Sequence, residues 1–448
     1  MRFVPVVLYT DALLWVLVLG LAVYGWYCAR RPHLAAPWRR VFQSRAALAS
    51  GAVLAVFIVI GLADSVHFRR PPSIAEQSLL DLALGHLRER GEKTYSAPLA
   101  TRLYAKEQVE APGGKTVRDY PRLRYGGSHL EDEAEAVRDI AWLAARGLIA
   151  AAVLWALLYL LFSRALRRTS AHVPWGAGWI TLGVVLALAG PALSLSQYWH
   201  VLGTDKVGND VLFQALKSIR TSLVIGTLTT LVLLPLGIAL GIAAGYFKGW
   251  VDDVIQYVYT TLNSIPGVLL IAAAVLMMQV VIDRNPEWFA TAAQRADFRL
   301  LILCAILGLT SWTGLARLLR GEALKLSQLE YIQAAHAFGV SHARILGRHI
   351  LPNVAHIVII AMVMDFSGLV LAEAVLSYVG VGVDPATTSF GTMINAARLE
   401  MGREPIVWWS LAAAFFFMFV LVLAANLFAD AVRDGFDPRV RVGGLVTA

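Results

Sequence analysis

Leu329–Asn353 reads LEYIQAAHAFGVSHARILGRHILPN. Ser327 or Gln328, just before it, is suited to open a helix. Tyr331, Ala334, Ala335 and Phe338 recur at helical spacing and share one face. Ala334 and Ala335 are small, so a partner surface can come close there. Gly339 ends that helix, because glycine takes the left-handed position after a helix C-terminus without a Cβ penalty. Ser341 then caps a second helix through Ile345 to Ile350. Pro352 marks the entry into an apolar run, where a proline in the first turn breaks no hydrogen bond. The expected form is a helix–turn–helix lying on a membrane face, a shape suited to docking against another protein.

The flanks of this stretch decide the fold class. About 20 consecutive apolar residues cross a bilayer as a helix, and the chain holds nine such runs: from about Tyr9 to Cys28, Ala46–Ala63, Ile140–Phe162, Gly176–Ser194, Thr221–Tyr246, about Ser264 to Ile282, Leu300–Leu319, Val354–Tyr378 and Val407–Phe428. Of the 448 residues 58% are hydrophobic and only 16% are charged, too few to cover a soluble protein of this size. The expected fold is all-α, a polytopic transmembrane helical bundle. The first run ends in Cys28-Ala29-Arg30-Arg31 with no small-residue cleavage site, so it is read as a retained helix.

Short loops set the orientation. Arg30, Arg31, Arg39, Arg40 and Arg45 lie between the first two spans with no acid, and Arg164, Arg167 and Arg168 follow the third in the same way. Both loops are expected in the cytoplasm, with the N-terminus outside and the C-terminus inside. The long polar segment 64–139 is then external, since long loops translocate regardless of charge. Ile74–Arg90 reads there as a short amphipathic helix, followed by Pro98, Pro112, Gly113, Gly114 and Pro121. The segment is either a small cap on the outer face or a loosely ordered loop. The net charge of +8 fits loops beside anionic headgroups better than a nucleic-acid partner.

Catalytic machinery is not legible. Gly113-Gly114-Lys115-Thr116 resembles a phosphate loop, but Val109 stands where such a loop needs glycine. No His/Glu cluster has zinc spacing, and Cys28 and Cys304 sit far apart in apolar runs, as buried small side chains do. Neither a catalytic residue, a bound cofactor nor a metal site is expected in this chain.

Four blocks carry a resemblance. Gln333-Ala334-Ala335, Gly339 and Leu351-Pro352 are similar, with matching spacing, to the EAA loop of ABC importer permeases, with Gln333 in place of the usual glutamate. Leu202-Gly203-Thr204-Asp205-Lys206-Val207-Gly208-Asn209-Asp210-Val211 resembles the LGTDxxGRDV signature of the dipeptide, oligopeptide and nickel branch, with Asn209 in place of arginine. Leu376-Ser377-Tyr378-Val379-Gly380-Val381-Gly382-Val383 resembles its LSFLGLGV loop, followed by Ser389-Phe390-Gly391. Asn426-Leu427-Phe428-Ala429-Asp430 with Arg433-Asp434 and Phe436-Asp437-Pro438-Arg439 resembles its terminal block. Order and spacing suit the C-type member of a permease pair.

The resemblance implies a type I ABC importer permease core over residues 196–448, with a cytoplasmic coupling hairpin at 328–352. It implies import of di- or oligopeptides or related small substrates, alternating access, and no ATP hydrolysis in this chain. The implied partners are a homologous B-type permease, one or two cytoplasmic ABC ATPases carrying ATP and Mg, an extracytoplasmic substrate-binding protein, and membrane lipid. The ATPase-coupling set is Glu330, Tyr331, Gln333, Ala334, Ala335, Phe338, Gly339, Leu351 and Pro352. The external-loop set is Gly203, Thr204, Asp205, Gly208 and Asp210. Asp365 and Glu373, ionisable groups inside the eighth span, are candidate pathway residues. Their other reading is support at the permease interface. The first 195 residues depart from the pattern. A typical member has one span before the signature loop, and this chain has four: N-terminal helices in 1–63, the external segment 64–139 and an added helical pair in 140–195. The competing class is a stand-alone secondary transporter or channel, against which stand the lack of an inverted repeat and the few buried charges.

Overall fold

The computed structural model describes residues 4–69, 76–111, 115–169 and 173–436. Helices α1 (Tyr9–Ala29), α2 (Pro32–Val41) and α3 (Arg45–Asp64) come first. Three short strands, β1 (Val4–Val6), β2 (His67–Arg69) and β3 (Glu76–Ser78), pair antiparallel in that order, with Val4 opposite Arg69 and Arg69 opposite Glu76. Then follow α4 (Leu79–Ala83), α5 (Gly85–Glu89) and an antiparallel hairpin of β4 (Glu107–Ala111) and β5 (Lys115–Asp119). The rest is helical: α6 (Ala136–Thr169), α7 (Trp175–Leu195), α8 (Val211–Phe247), α9 (Gly249–Ser264), α10 (Gly267–Arg284), α11 (Ala292–Ser311), α12 (Thr313–Leu326), α13 (Glu330–Ala337), α14 (His342–Ile345), α15 (Leu351–Val379), α16 (Phe390–Glu400) and α17 (Trp409–Phe436).

Among the described residues nine helical runs are long and apolar enough to cross a membrane, and each overlaps one expected span. Their ends differ for local reasons. The fifth starts at Val211 rather than Thr221, because Asp210 caps it: its Oδ1 accepts the Leu212 and Phe213 N–H groups at 2.9 and 3.1 Å. The seventh is divided between α11 and α12, on either side of Trp312. Pro266 stands immediately before α10, at its N-cap.

The polar segment corrects one expectation. Ile74–Arg90 is not one helix. Glu76–Ser78 is a strand, Ser78 and Asp81 form a capping box that opens α4, and Leu84, at φ −107° and ψ 23°, separates α4 from α5. Residues 74 and 75 lie outside the described residues. So do Gly113 and Gly114 of the phosphate-loop lookalike, but Lys115 opens a strand where a phosphate loop needs a helix. Residues 437–439 of the terminal block also lie outside.

Two compact units divide the chain. One gathers Phe42–Ser222 and Pro385–Leu427 with the N-terminal strand. Here α6 and α7 cross so closely that a Cβ at Gly147 would run into the Gly190 carbonyl, the close approach that small residues permit in lipid. An apolar cluster of this unit joins Tyr95, Val211, Ala215, Val407, Trp409 and Ala414. The polar segment is thus folded into a core, with Tyr95 3% exposed, rather than loosely ordered.

The other unit gathers Leu8–Val41, Leu223–Asp384 and the end of α17. Its core includes Leu233, Trp312, Leu319, Ile332, Ile345, Ile350 and Val354. The N-terminal helix belongs here: Tyr9 meets Phe298 edge-on, and the Thr10 N–H donates to Asp297 at 3.0 Å. Trp38 of α2 meets Phe436 of α17 edge-on, with centroids 5.1 Å apart. Cys28 and Cys304 are both buried, as their apolar runs indicate.

Candidate functional site

The hairpin is built from an apolar underside upward. Ile332 of α13, Ile345 of α14 and Ile350 are fully buried in the second unit's core. Below them Gly237, Gly241 and Gly245 recur every four residues on α8. A Cβ at Gly241 would lie 2.6 Å from the Ala316 carbonyl oxygen, and one at Gly245 2.5 Å from that of Arg320, so α12 rests directly on the backbone of α8. Arg320 holds Asp252 of α9 through two hydrogen bonds, at 2.5 and 2.7 Å. That guanidinium lowers the Asp252 carboxyl from its ordinary value, against the effect of burial.

Leu329, not Ser327 or Gln328, is the residue that opens α13. Ser327 is occupied in closing α12, where its hydroxyl donates to the Leu324 carbonyl at 2.8 Å. After α13 the chain makes a Schellman turn. The Val340 N–H donates to the Ala335 carbonyl at 3.0 Å and the Gly339 N–H to that of His336 at 2.9 Å, with Gly339 at φ +71°. Gly339 therefore takes the expected left-handed position. Ser341 stands at the next helix start with extended backbone, but its side chain makes no cap.

The second helix does not stop before the membrane run. A π-helical turn at Leu346–Ile350 joins α14 to α15, and Pro352 follows it inside a continuous helical stretch from His342 to Val379. A π turn changes the backbone pairing where proline lacks its N–H, which removes the need for a break.

One polar lock was not read from the sequence. Tyr246, at the end of α8, places its hydroxyl 2.8 Å from His336 Nε2 and 2.9 Å from His342 Nδ1. A hydroxyl has one proton, so it donates to one ring and accepts from the other. The two histidines flank the Gly339 turn, so both arms are tied to α8. Neither the tyrosine nor the histidines fall in a recognisable motif. The glycine stripe on α8 had a readable signal, its four-residue spacing.

The coupling set forms the upper surface. Phe338 is 86% exposed and Tyr331 46%. Glu330, Gln333, Ala334, Gly339, Leu351 and Pro352 are exposed, while Ala335 is half-buried against the core. Gln333 donates to the Gln328 carbonyl at 3.2 Å, and Tyr331 accepts from Asn353 at 3.2 Å. The result is a small-residue surface with an aromatic tip, stiffened from below.

The signature loop belongs to the other unit. The Thr204 hydroxyl accepts the Ser96 N–H at 2.7 Å and donates to the Thr94 carbonyl at 2.9 Å. Asp205 accepts the Val207 and Asn209 N–H groups, each at 2.9 Å, closing the turn. Gly203 and Gly208 have φ of +71° and +81°, and a Cβ on either would strike the backbone of residue 96 or 92. Gly203, Thr204 and Gly208 thus seat the loop on the polar segment, Asp205 closes its turn and Asp210 starts α8.

Asp365 and Glu373 are not brought together. Glu373 is 1% exposed and accepts the Ser377 hydroxyl at 2.6 Å, while Asp365 is half-buried on α15. Among the described residues no three His, Cys, Asp or Glu side chains are grouped to hold a metal ion.

The family model for the binding-protein-dependent transport system inner membrane component matches residues 237–442. The glutathione transport system permease protein GsiD of Pectobacterium atrosepticum is 34% identical over 244 residues, 54% of this chain and 73% of that protein. The oligopeptide transport system permease protein OppC of Mycobacterium tuberculosis is 32% identical over 242 residues, 54% of this chain and 77% of its own length. The dipeptide transport system permease protein DppC of Lactococcus lactis is 31% identical over 240 residues, 54% and 64% respectively. The matched region contains the hairpin, its glycine stripe and the eighth and ninth spans, and the chain belongs to the family of inner-membrane components of binding-protein-dependent transport systems.

Proposed function

We propose that this permease subunit pairs with a homologous permease to enclose one pathway for di- or oligopeptides or related small substrates such as glutathione. Cytoplasmic ABC ATPases bind the hairpin 328–352 and supply ATP hydrolysis, while an extracytoplasmic protein delivers the substrate. The N-terminus and residues 64–139 face outward and the C-terminus faces the cytoplasm, as the arginine-rich short loops require. The chain itself holds no cofactor. The names of its relatives support the substrate class.

One observation carries the coupling role: Phe338 is 86% exposed on a turn whose both arms are pinned, by Ile332 and Ile345 below and by Tyr246 between. A bulky aromatic left in water at the tip of a rigid element is a feature of a docking surface. Co-purification in mild detergent tests this. The ATPases should come down with the intact chain and be lost with Phe338→Ala or Ala334→Arg, while the partner permease stays bound. A chain that purifies alone and moves solute down an ion gradient overturns the importer reading.

A further inference from the structure

The segment 64–139 lies outside the region matched by the family model, yet it is bonded to the loop that opens α8. Glu92, His200 and Asp210 are 7%, 4% and 1% exposed. Glu92 accepts the N–H groups of Arg124, Tyr125 and Gly126 at 2.9, 2.8 and 3.2 Å. Its own N–H donates to the Gly208 carbonyl at 2.9 Å. His200 places Nδ1 2.8 Å from Asp210 and Nε2 3.4 Å from Glu92. One imidazole therefore stands between two buried carboxylates, one from the segment and one that caps α8. A second set of bonds reaches the lead-in to α17: Trp409 donates to the Thr204 carbonyl at 2.9 Å, Tyr104 donates to that of Ile406 at 3.2 Å, and Arg403 lies over Tyr95.

We infer that His200 is a positioning residue for transport: as an imidazolium it clasps residues 64–139 onto the loop that starts α8, and the clasp opens when the solution on its side of the membrane turns alkaline. Only the charged ring carries a proton on both nitrogens, one bonded to Asp210 and the other facing the Glu92 carboxylate at ion-pair distance. A neutral ring leaves two buried negative charges facing one donor, which a low-dielectric site resists. Burial pulls the His200 ring down, but its hydrogen bond to Asp210 and the two carboxylates of Asp210 and Glu92 beside it outweigh this and raise it to about 9 from the ordinary 6.5. Burial pushes Glu92 up, but the bonds from His200 and the three N–H groups hold it well below its ordinary range. The other ionisable groups around the site are His86 in α5 and Arg90 at its C-terminal end, Arg124 and Tyr125 on the facing turn, and Tyr198 beside His200. Arg90 lines the same cleft but spends its guanidinium on the Gln197 carbonyl. The raised His200 value gives the sign: its contribution is complete below pH 6.5 and is lost as pH rises through about 9.

The inference that this is the outer solution rests on the proposed orientation. The test uses the complete transporter in proteoliposomes, with the pH of each side set separately and transport driven by ATP on the ATPase side. Wild-type transport should fall as pH on the far side rises through about 9, and recover on return. Trypsin should cut residues 64–139 more readily over the same range. His200→Gln should be at least about tenfold slower at neutral pH and lack the alkaline limb, as expected when a buried ion cluster loses its cation. His200→Lys should move that limb to higher pH. A wild-type limb and cleavage pattern shared unchanged by His200→Gln overturns the clasp. A limb that follows the pH on the ATPase side overturns the orientation and leaves the clasp standing.

Discussion

At the residue scale, two glycines with positive φ carry different loads. Gly339 sits at φ +71° with nothing within 4 Å of an added Cβ, so only its backbone conformation resists a side chain. Left-handed geometry costs an ordinary residue roughly 1–2 kcal/mol, and a β-branched one more. Gly339→Val should therefore loosen the turn and lower transport per ATP hydrolysed, while Gly339→Asn stays near wild type. A Gly339→Val transporter with unchanged coupling would remove the hairpin from the coupling role. Gly208, at φ +81°, carries a second penalty, because a Cβ there collides with the Glu92 backbone. Gly208→Ala should lower the melting temperature of the purified complex more than Gly339→Ala does. Gly339 was legible from its place between two helical patterns. The contact that constrains Gly208 was not, because its partner lies more than a hundred residues earlier, in a segment with no pattern of its own.

At the element scale, helices written in long apolar runs were readable, and elements defined by long-range contacts were not. Lipid leaves a helix few ways to satisfy its backbone, so an apolar run of sufficient length is nearly decisive. The fifth span extended further than its hydropathy because a carboxylate cap at Asp210 added polar turns. The supposed helix at 74–90 divided because the Ser78 capping box and the strand before it outweighed a leucine pattern. The hairpin's turn was legible from Gly339, but its attachment to α8 through Tyr246 was not, since histidines six residues apart signal nothing without a third group. Packing of α12 on α8 gives a paired test. Gly241→Val should destabilise the permease by about 1–3 kcal/mol, the usual cost of overpacking, because its Cβ would lie 2.6 Å from a carbonyl oxygen. Gly321→Ala on α12 meets nothing within 4 Å and should be neutral or stabilising, as glycine-to-alanine changes in open helix positions are. The melting temperature should fall for Gly241→Val and hold or rise for Gly321→Ala, and equal losses would mean that α8 and α12 are not packed through this stripe.

At the scale of the whole molecule, the added N-terminal parts have to leave the family core correctly oriented. The helical pair α6 and α7 crosses the membrane twice and so returns the chain to the side it left. On the proposed orientation the arginines at 30–45, which carry no compensating acid, hold that loop in the cytoplasm. That orientation predicts that the hairpin and the loop at 203–210 open on opposite sides of the membrane. Val207 is 71% exposed and Phe338 86%, and both native cysteines are buried, so single reporter cysteines can be read against a quiet background. In intact spheroplasts a membrane-impermeant maleimide should label Val207→Cys and leave Phe338→Cys untouched. Permeabilised membranes should label Phe338→Cys, and less so when the ATPases are co-expressed and cover the tip. Labelling of Phe338→Cys but not Val207→Cys from outside would mean that a span before residue 203 has been miscounted. The added helices would then invert the core rather than preserve it, and the ATPases would have to be sought on the face that carries the clasp.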